Sequence, residues 1–189
     1  MTEAEIVNIL KESGALLNGH FQLRSGLHSD HFFQAALLLQ YPDKAETVCR
    51  HLAEKFAGSE ISAVISPAVG GLIVGQEVAR ALGCKAIFAD KEDGELVLKR
   101  GFTIKPGEKI LVAEDVVTKG GRVQQTIDLV RSKGGDVVGV AVIVDRSGGE
   151  ASFDVPKFES ALKLTLPTFD PAQCPLCAAK LPIDRPGSK

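Results

Sequence analysis

Residues 109–131, KILVAEDVVTKGGRVQQTIDLVR, constrain this chain more than any other stretch. Ile110 to Ala113 form an unbroken apolar run, as expected of a strand covered on both faces. Glu114 and Asp115 follow, then Val116-Val117 and the loop Thr118-Lys119-Gly120-Gly121-Arg122. Beyond the loop, Val123, Ile127 and Val130 recur at helical spacing. A buried strand therefore feeds a tight turn and then a helix N-terminus, a unit that belongs in a parallel α/β sheet.

The turn is suited to a phosphate. The first N–H groups of a helix have no partner inside it, and the helix dipole is positive there. Gly120 and Gly121 let the backbone wrap an anion closely, Thr118 adds a hydroxyl, and Lys119 and Arg122 add positive charge. Glu114 and Asp115 would repel a phosphate, but ionised carboxylates accept the hydrogen bonds that a sugar diol donates. The pair beside an anion cradle reads as a grip on a ribose 5-phosphate. The same features also occur in α/β turns for structural reasons alone. Neither a GxxxxGK[ST] loop nor a GxGxxG fingerprint is present.

The rest of the chain fits around this unit. Thr2 and Glu5 form a capping box for an N-terminal helix. Residues 21–33 read as a hairpin outside the main sheet, ending in Phe32-Phe33, of which one ring is expected in the core and the other is free for a flat ligand. Arg24 within it reads as a surface charge. Asp43 is expected to cap a helix closed by Gly58, and Ile61–Ser66 to form a strand that turns through Gly70-Gly71 into a helix over 72–82. If that strand neighbours the 110–117 strand, two anion-friendly turns lie side by side at the carboxyl ends of parallel strands, where open α/β sheets bind ligands.

A hairpin is expected over Lys85–Ala89 and Leu96–Phe102, turning at Asp93-Gly94. Its Lys91, Lys99 and Arg100 are either a solvated face or cations for a leaving pyrophosphate, with the tip acting as a lid. An apolar strand over 137–144 ends at Asp145-Arg146, where Arg146 is either a fork for a carboxylate or half of a surface pair. A last short strand is expected over 161–166.

With 189 residues, 44% hydrophobic and 24% charged, the chain suits one domain of an ordinary globular enzyme. It lacks Trp and carries a formal net charge of −2, which argues against nucleic-acid or anionic-membrane partners. Without a secretory start or a membrane-length apolar run, a cytoplasmic location is expected. Cys49 and Cys84 read as small core residues. Cys174 and Cys177 make a lone CxxC with no second CxxC or paired His nearby in sequence. Structural thiols are the first reading, with a metal shared between subunits or redox chemistry as alternatives.

The apolar strand, Glu-Asp pair and Thr-x-Gly-Gly loop together resemble the signature by which type I phosphoribosyltransferases bind 5-phosphoribosyl 1-pyrophosphate (PRPP). The FxLxSG hairpin with Phe-Phe, the SPAxGG turn, the KRGF segment and the Val-Asp-Arg strand end narrow the resemblance to the orotate phosphoribosyltransferase family. The likeness implies an α/β type I phosphoribosyltransferase fold: a mostly parallel sheet flanked by helices, a small N-terminal hood and a β-hairpin. The hood would span about 1–40 with the C-terminal tail, and the core about 41–166.

It implies transfer from PRPP to orotate with Mg²⁺, in a homodimer with shared active sites. PRPP would be held by Arg24, Lys91, Lys99, Arg100, Glu114, Asp115, Val116, Val117, Thr118, Lys119, Gly120, Gly121 and Arg122. Orotate would meet Phe32, Phe33, Thr118 and Arg146. Catalysis would fall to Asp115 with Lys91 or Lys99, and Mg²⁺ would be carried by PRPP with Asp115 as its protein contact.

The chain departs from the family pattern at several positions. Arg24 stands where Lys is usual, Gly70 where some members carry a PRPP-binding Lys, and Asp90 where many have Arg. The catalytic loop is short, with no Lys-x-His run, and Lys119 and Arg122 replace small or hydroxyl residues. Two other readings keep the PRPP loop: a purine phosphoribosyltransferase, which needs no Arg146 fork, and a non-catalytic PRPP sensor, which needs a DNA-binding module and a basic face.

Overall fold

The computed structural model describes residues 1–23 and 25–186. The capping box forms: the Glu5 N–H donates to Thr2 Oγ1 at 3.3 Å and the Thr2 N–H to Glu5 Oε2 at 2.8 Å, opening α1 (Glu3–Glu12). Then come β1 (Leu16–Gln22) and β2 (His28–Phe33), a two-stranded antiparallel sheet separate from the main one. A short helix α2 (Ala35–Leu39) follows, which the sequence did not announce, since five apolar residues show no period. Helix α3 (Pro42–Glu54) starts one residue before the expected cap, with Pro42 in its first turn and Tyr41 as N-cap. Asp43 therefore sits inside the first turn, where its charge still suits the helix dipole.

The main sheet is built from β3 (Ala63–Pro67), β4 (Lys85–Glu92), β5 (Glu95–Leu98), β6 (Lys109–Val117), β7 (Asp136–Asp145) and β8 (Phe158–Lys163). Their order is β5-β4-β3-β6-β7-β8, with all neighbours parallel except β4 and β5. Helix α4 (Gly71–Leu82) links β3 to β4, and α5 (Gly121–Ser132) links β6 to β7. The chain thus winds outward from β3 in one direction and from β6 in the other. The strand order reverses between two strands paired directly, Ala63 opposite Ile110 and Ile65 opposite Val112. In such sheets a ligand crevice opens at this reversal.

The apolar run of β6 lacks alternation because both of its faces are covered. Leu111 and Ala113 join the cluster formed with α1, α2, α3 and α4, including Leu10, Leu38, Leu52 and Val78. Ile110 and Val112 join the opposite cluster with Val123, Ile127 and Val130 of α5. The edge hairpin turns at Asp93 (φ 48°) and Gly94 (φ 94°), as its Asp-Gly predicts. Its second strand stops at Leu98, short of the expected Phe102, because Arg100 (φ 59°) and Gly101 (φ 78°) turn the chain away. The last strand also lies three residues earlier than expected, at Phe158–Lys163.

After β8 the chain returns to the N-terminal hairpin. The His28 and Phe169 backbones exchange hydrogen bonds at 2.9 and 2.8 Å, and Asp184 bridges the carbonyl of His20 and the N–H of Gln22. A 3₁₀ turn (Pro171–Gln173) and the one-turn helix α6 (Pro175–Ala178) lie between. No helix among the described residues is long and apolar enough to cross a membrane.

Candidate active site

Glu114 and Asp115 occupy the carboxyl end of β6 and face the β3–α4 turn. At Gly70 and Gly71 that turn leaves little room for side chains. A Cβ at Gly70 would lie 2.8 Å from Asp115 Oδ2, and one at Gly71 would lie 3.0 Å from Glu114 Oε1. The two glycines are therefore the space into which the carboxylates fit, a role that a reading of turn propensity does not reveal. Glu114 is 2% exposed, its Oε1 accepts from the Asp115 N–H at 3.1 Å, and its buried Oε2 has no hydrogen-bond partner among the described residues. Burial, and then the neighbouring Asp115 charge, push the Glu114 carboxyl up to about 8. Asp115 is half-buried and its Oδ1 accepts from the Val116 N–H at 2.7 Å, so Oδ2 is the oxygen turned to the Gly70 side.

The loop after β6 is open. Thr118, Lys119, Gly121 and Arg122 are exposed, and no side chain among the described residues caps α5. Its N-cap, Gly120, has φ 75°, and a Cβ there would lie 2.8 Å from the Phe153 ring. Glycine is needed at this position both for backbone conformation and for clearance. Phe153 carries no motif and was missed in the sequence. Val116 and Val117, expected in the wrap around the anion, belong to β6 instead. Val117 is buried in the core beneath α5, so only its backbone faces the site.

On the neighbouring strand, the Arg146 N–H donates to the Val117 carbonyl at 2.8 Å, which sets Arg146 beside the start of the Thr118 loop. Arg146 and Asp145 do not form the surface ion pair that was the alternative reading. Asp145 is buried and accepts from the Ser147 N–H at 2.9 Å, while Arg146 is in no ion pair among the described residues. Its guanidinium is half-buried, and that burial lowers its pKa.

The hairpin cations separate into two kinds. Lys99 donates to Glu92 at 2.6 Å; Arg100 donates to Asp90 at 3.3 Å and lies 5.4 Å from the centre of the Phe88 ring. Asp90, which reverses the family's usual charge, thus has a partner of its own. Lys91 is exposed and in no ion pair among the described residues. Of the two phenylalanines, Phe33 lies in the core cluster at 4% exposure, so it is not the ring that meets a ligand. Phe32 is half-buried, 5.8 Å from the Phe21 ring. Arg24, expected at the phosphates, lies outside the described residues.

The arrangement pairs an open cradle of helix N–H groups with two carboxylates at the same sheet edge, and sets a free guanidinium one strand away. It can hold a phosphate and a diol together. The "Phosphoribosyl transferase domain" family model matches residues 39–159. An orotate phosphoribosyltransferase of Pelotomaculum thermopropionicum is 50% identical, with 100% of this chain and 99% of that one covered. One from Chlorobium phaeobacteroides is 49% identical, covering 100% and 97%. Among solved structures, the orotate phosphoribosyltransferase of Aeropyrum pernix superposes with a TM-score of 0.69 at 28% identity, over 84% of this chain and 93% of that one. An adenine phosphoribosyltransferase of Rhodothermus marinus reaches 0.66 at 25% identity, over 85% and 99%. The fold therefore spans enzymes for different bases, and the full-length relatives make the finer distinction.

Proposed function

The chain belongs to the orotate phosphoribosyltransferase family, and on that premise we propose that it transfers the ribose 5-phosphate of PRPP to orotate, in pyrimidine nucleotide synthesis. The products are orotidine 5′-monophosphate and pyrophosphate. One observation carries the reading: a carboxylate pair lodged against a glycine turn, beside an uncapped glycine-rich helix start, where the strand order reverses.

In this reading Thr118–Arg122 receive the 5′-phosphate through N–H groups, a hydroxyl and two cations. Glu114 and Asp115 accept from the ribose hydroxyls. As the bond from the anomeric carbon to pyrophosphate breaks, positive charge builds on the ribose, and the fixed Asp115 carboxylate stabilises it, with Glu114, protonated below about 8, held beside it as a hydrogen-bonding partner. Arg146 forks onto the orotate carboxylate, with Phe32 at the ring's border. Lys91 meets the departing pyrophosphate, since Lys99 and Arg100 would first have to leave Glu92 and Asp90.

Magnesium is the metal expected with PRPP, and the donor set suits it. Asp115 presents a hard carboxylate oxygen in the Gly70 cradle, with Glu114 Oε2 unpartnered behind it. When bound, the ion would neutralise charge on the leaving pyrophosphate. A cytoplasmic homodimer with shared sites completes the proposal. Support for a covering subunit comes from Val69 in the β3–α4 turn and Ile73 in the first turn of α4, 77% and 46% exposed.

The test is orotate consumption followed by absorbance with PRPP and Mg²⁺, against adenine, hypoxanthine and xanthine in parallel. Turnover of orotate alone is expected. Turnover of a purine in its place would overturn the orotate assignment and leave the PRPP site standing.

A further inference from the structure

The lone CxxC acquires partners in three dimensions. The tail brings Cys174 and Cys177 onto the N-terminal hairpin against His20 and His28, which lie diagonally across β1 and β2. One ligand-type atom from each residue lies within 4.8 Å of all the others. His20 Nε2 is 3.0 Å from His28 Nδ1 and 3.7 Å from both sulfurs, and Cys177 Sγ is 3.4 Å from His28 Nδ1. A tetrahedral zinc centre with ordinary bond lengths requires N···N separations of about 3.3 Å and N···S separations of about 3.6 Å. These four separations lie within about 0.3 Å of those values, and the other two pairs lie within 4.8 Å.

We propose that His20, His28, Cys174 and Cys177 bind a structural Zn²⁺ that staples the C-terminal tail to the N-terminal hairpin. The hydrogen bond on the far side of the His20 ring supports this. His20 Nδ1 donates to the Leu181 carbonyl at 2.9 Å, which puts the ring proton on that side and leaves the Nε2 lone pair facing the cluster. His20, His28 and Cys174 are buried, and only Cys177 reaches the surface. Among the described residues these side chains hydrogen-bond only one another and the Leu181 carbonyl, and one cation at the centre would engage all four at once.

Two thiolates, two neutral imidazoles and two soft-to-borderline donor types select Zn²⁺ over Mg²⁺ or Ca²⁺. Binding releases both thiol protons and leaves the site neutral overall. Four protein ligands leave no open position, so the metal is structural and separate from the phosphate chemistry. A two-stranded hairpin is marginal alone. This one is tied to residues far away in sequence, His20 and Cys174 being 154 positions apart, and such long closures constrain the unfolded chain most.

The test uses the full chain without a metal-binding tag, grown with zinc and purified without chelator. Elemental analysis should give about one zinc per chain, retained in Cys84→Ser and reduced at least tenfold in Cys177→Ser and His28→Ala. Removing zinc should lower the melting temperature, and adding it back should restore it. Should the variants fail to fold, metal-free parent protein titrated with Co²⁺ decides the matter. Intense visible bands with sulfur-to-metal charge transfer mark a tetrahedral thiolate site. Weak octahedral bands together with zinc below about a tenth per chain would overturn the proposal.

Discussion

At the scale of residues, Glu114 carries the largest electrostatic cost in the site. Its carboxyl ionises near 4.5 in an ordinary setting and only at about 8 in the fold. Between those values the folded chain holds a proton that the unfolded chain has lost, so stability falls as pH rises from 4.5 through 8. Glu114→Gln should flatten the fall of melting temperature over that range and be more stable than the parent at about pH 9, by on the order of 1–4 kcal/mol. Its turnover should drop by roughly 10²-fold as an amide NH2 donor replaces one of the two oxygens that can accept from the ribose. Melting curves across pH, with orotate assays alongside, check both. Arg146→Ala should raise the KM for orotate by tenfold or more, roughly the loss of one charge-assisted fork, with little change for PRPP. Equal effects on the two substrates would remove the fork. The placement of Glu114, Asp115 and Arg146 at the carboxyl ends of neighbouring strands was legible in the sequence, because each signal is local to its own strand end. The need for Gly70 and Gly71 was not, because it arises from carboxylates some forty positions away that come to rest against them.

At the scale of elements, the β6–loop–α5 unit was read almost to the residue. Its strand is unbroken, its helix strongly periodic, and its loop marked by paired glycines. The elements missed outright lacked such marks: α2, too short to show a period, and the tail, which is ordered by exchange with the hairpin; the second hairpin strand and the last strand were placed but with shifted bounds. The four-residue cluster was hidden for the same reason, since its histidines and cysteines lie at opposite ends of the chain. Phe153 makes a comparable point at the phosphate loop, setting the clearance of Gly120 from a segment with no regular structure. Gly120→Ala combines a left-handed backbone with a 2.8 Å clash, and should cost about 1–3 kcal/mol of stability. The same change should raise the KM for PRPP far more than that for orotate, because the loop carries the phosphate cradle. Phe153→Ala in the Gly120→Ala background should recover part of that loss by removing the clash but not the backbone strain. Failure to recover any would mean that Phe153 does not set the loop.

At the scale of the whole molecule, the question is whose hairpin serves which site. Lys91 extends two residues past Ala89, the partner of Pro67, on the strand next to β3, so its own crevice is within reach along the sheet edge. A homodimer in which each hairpin crosses to the partner is the proposed arrangement. It places the two ingredients of catalysis on different chains. Lys91→Ala removes the pyrophosphate cation and Asp115→Asn removes the ribose carboxylate, so each variant alone should be nearly inactive. Unfolded together and refolded in equal amounts, the two should form mixed dimers in which one site has both defects and the other has neither. Random assortment then predicts recovery of about a quarter of the parent activity. Recovery should also depend on protein concentration, because the intact site exists only in the mixed dimer. If the mixture stays as inactive as its components while sedimentation shows dimers, the lysine acts on its own chain and the crossing is wrong. The carboxylate and phosphate assignments would survive that result, since neither depends on the partner.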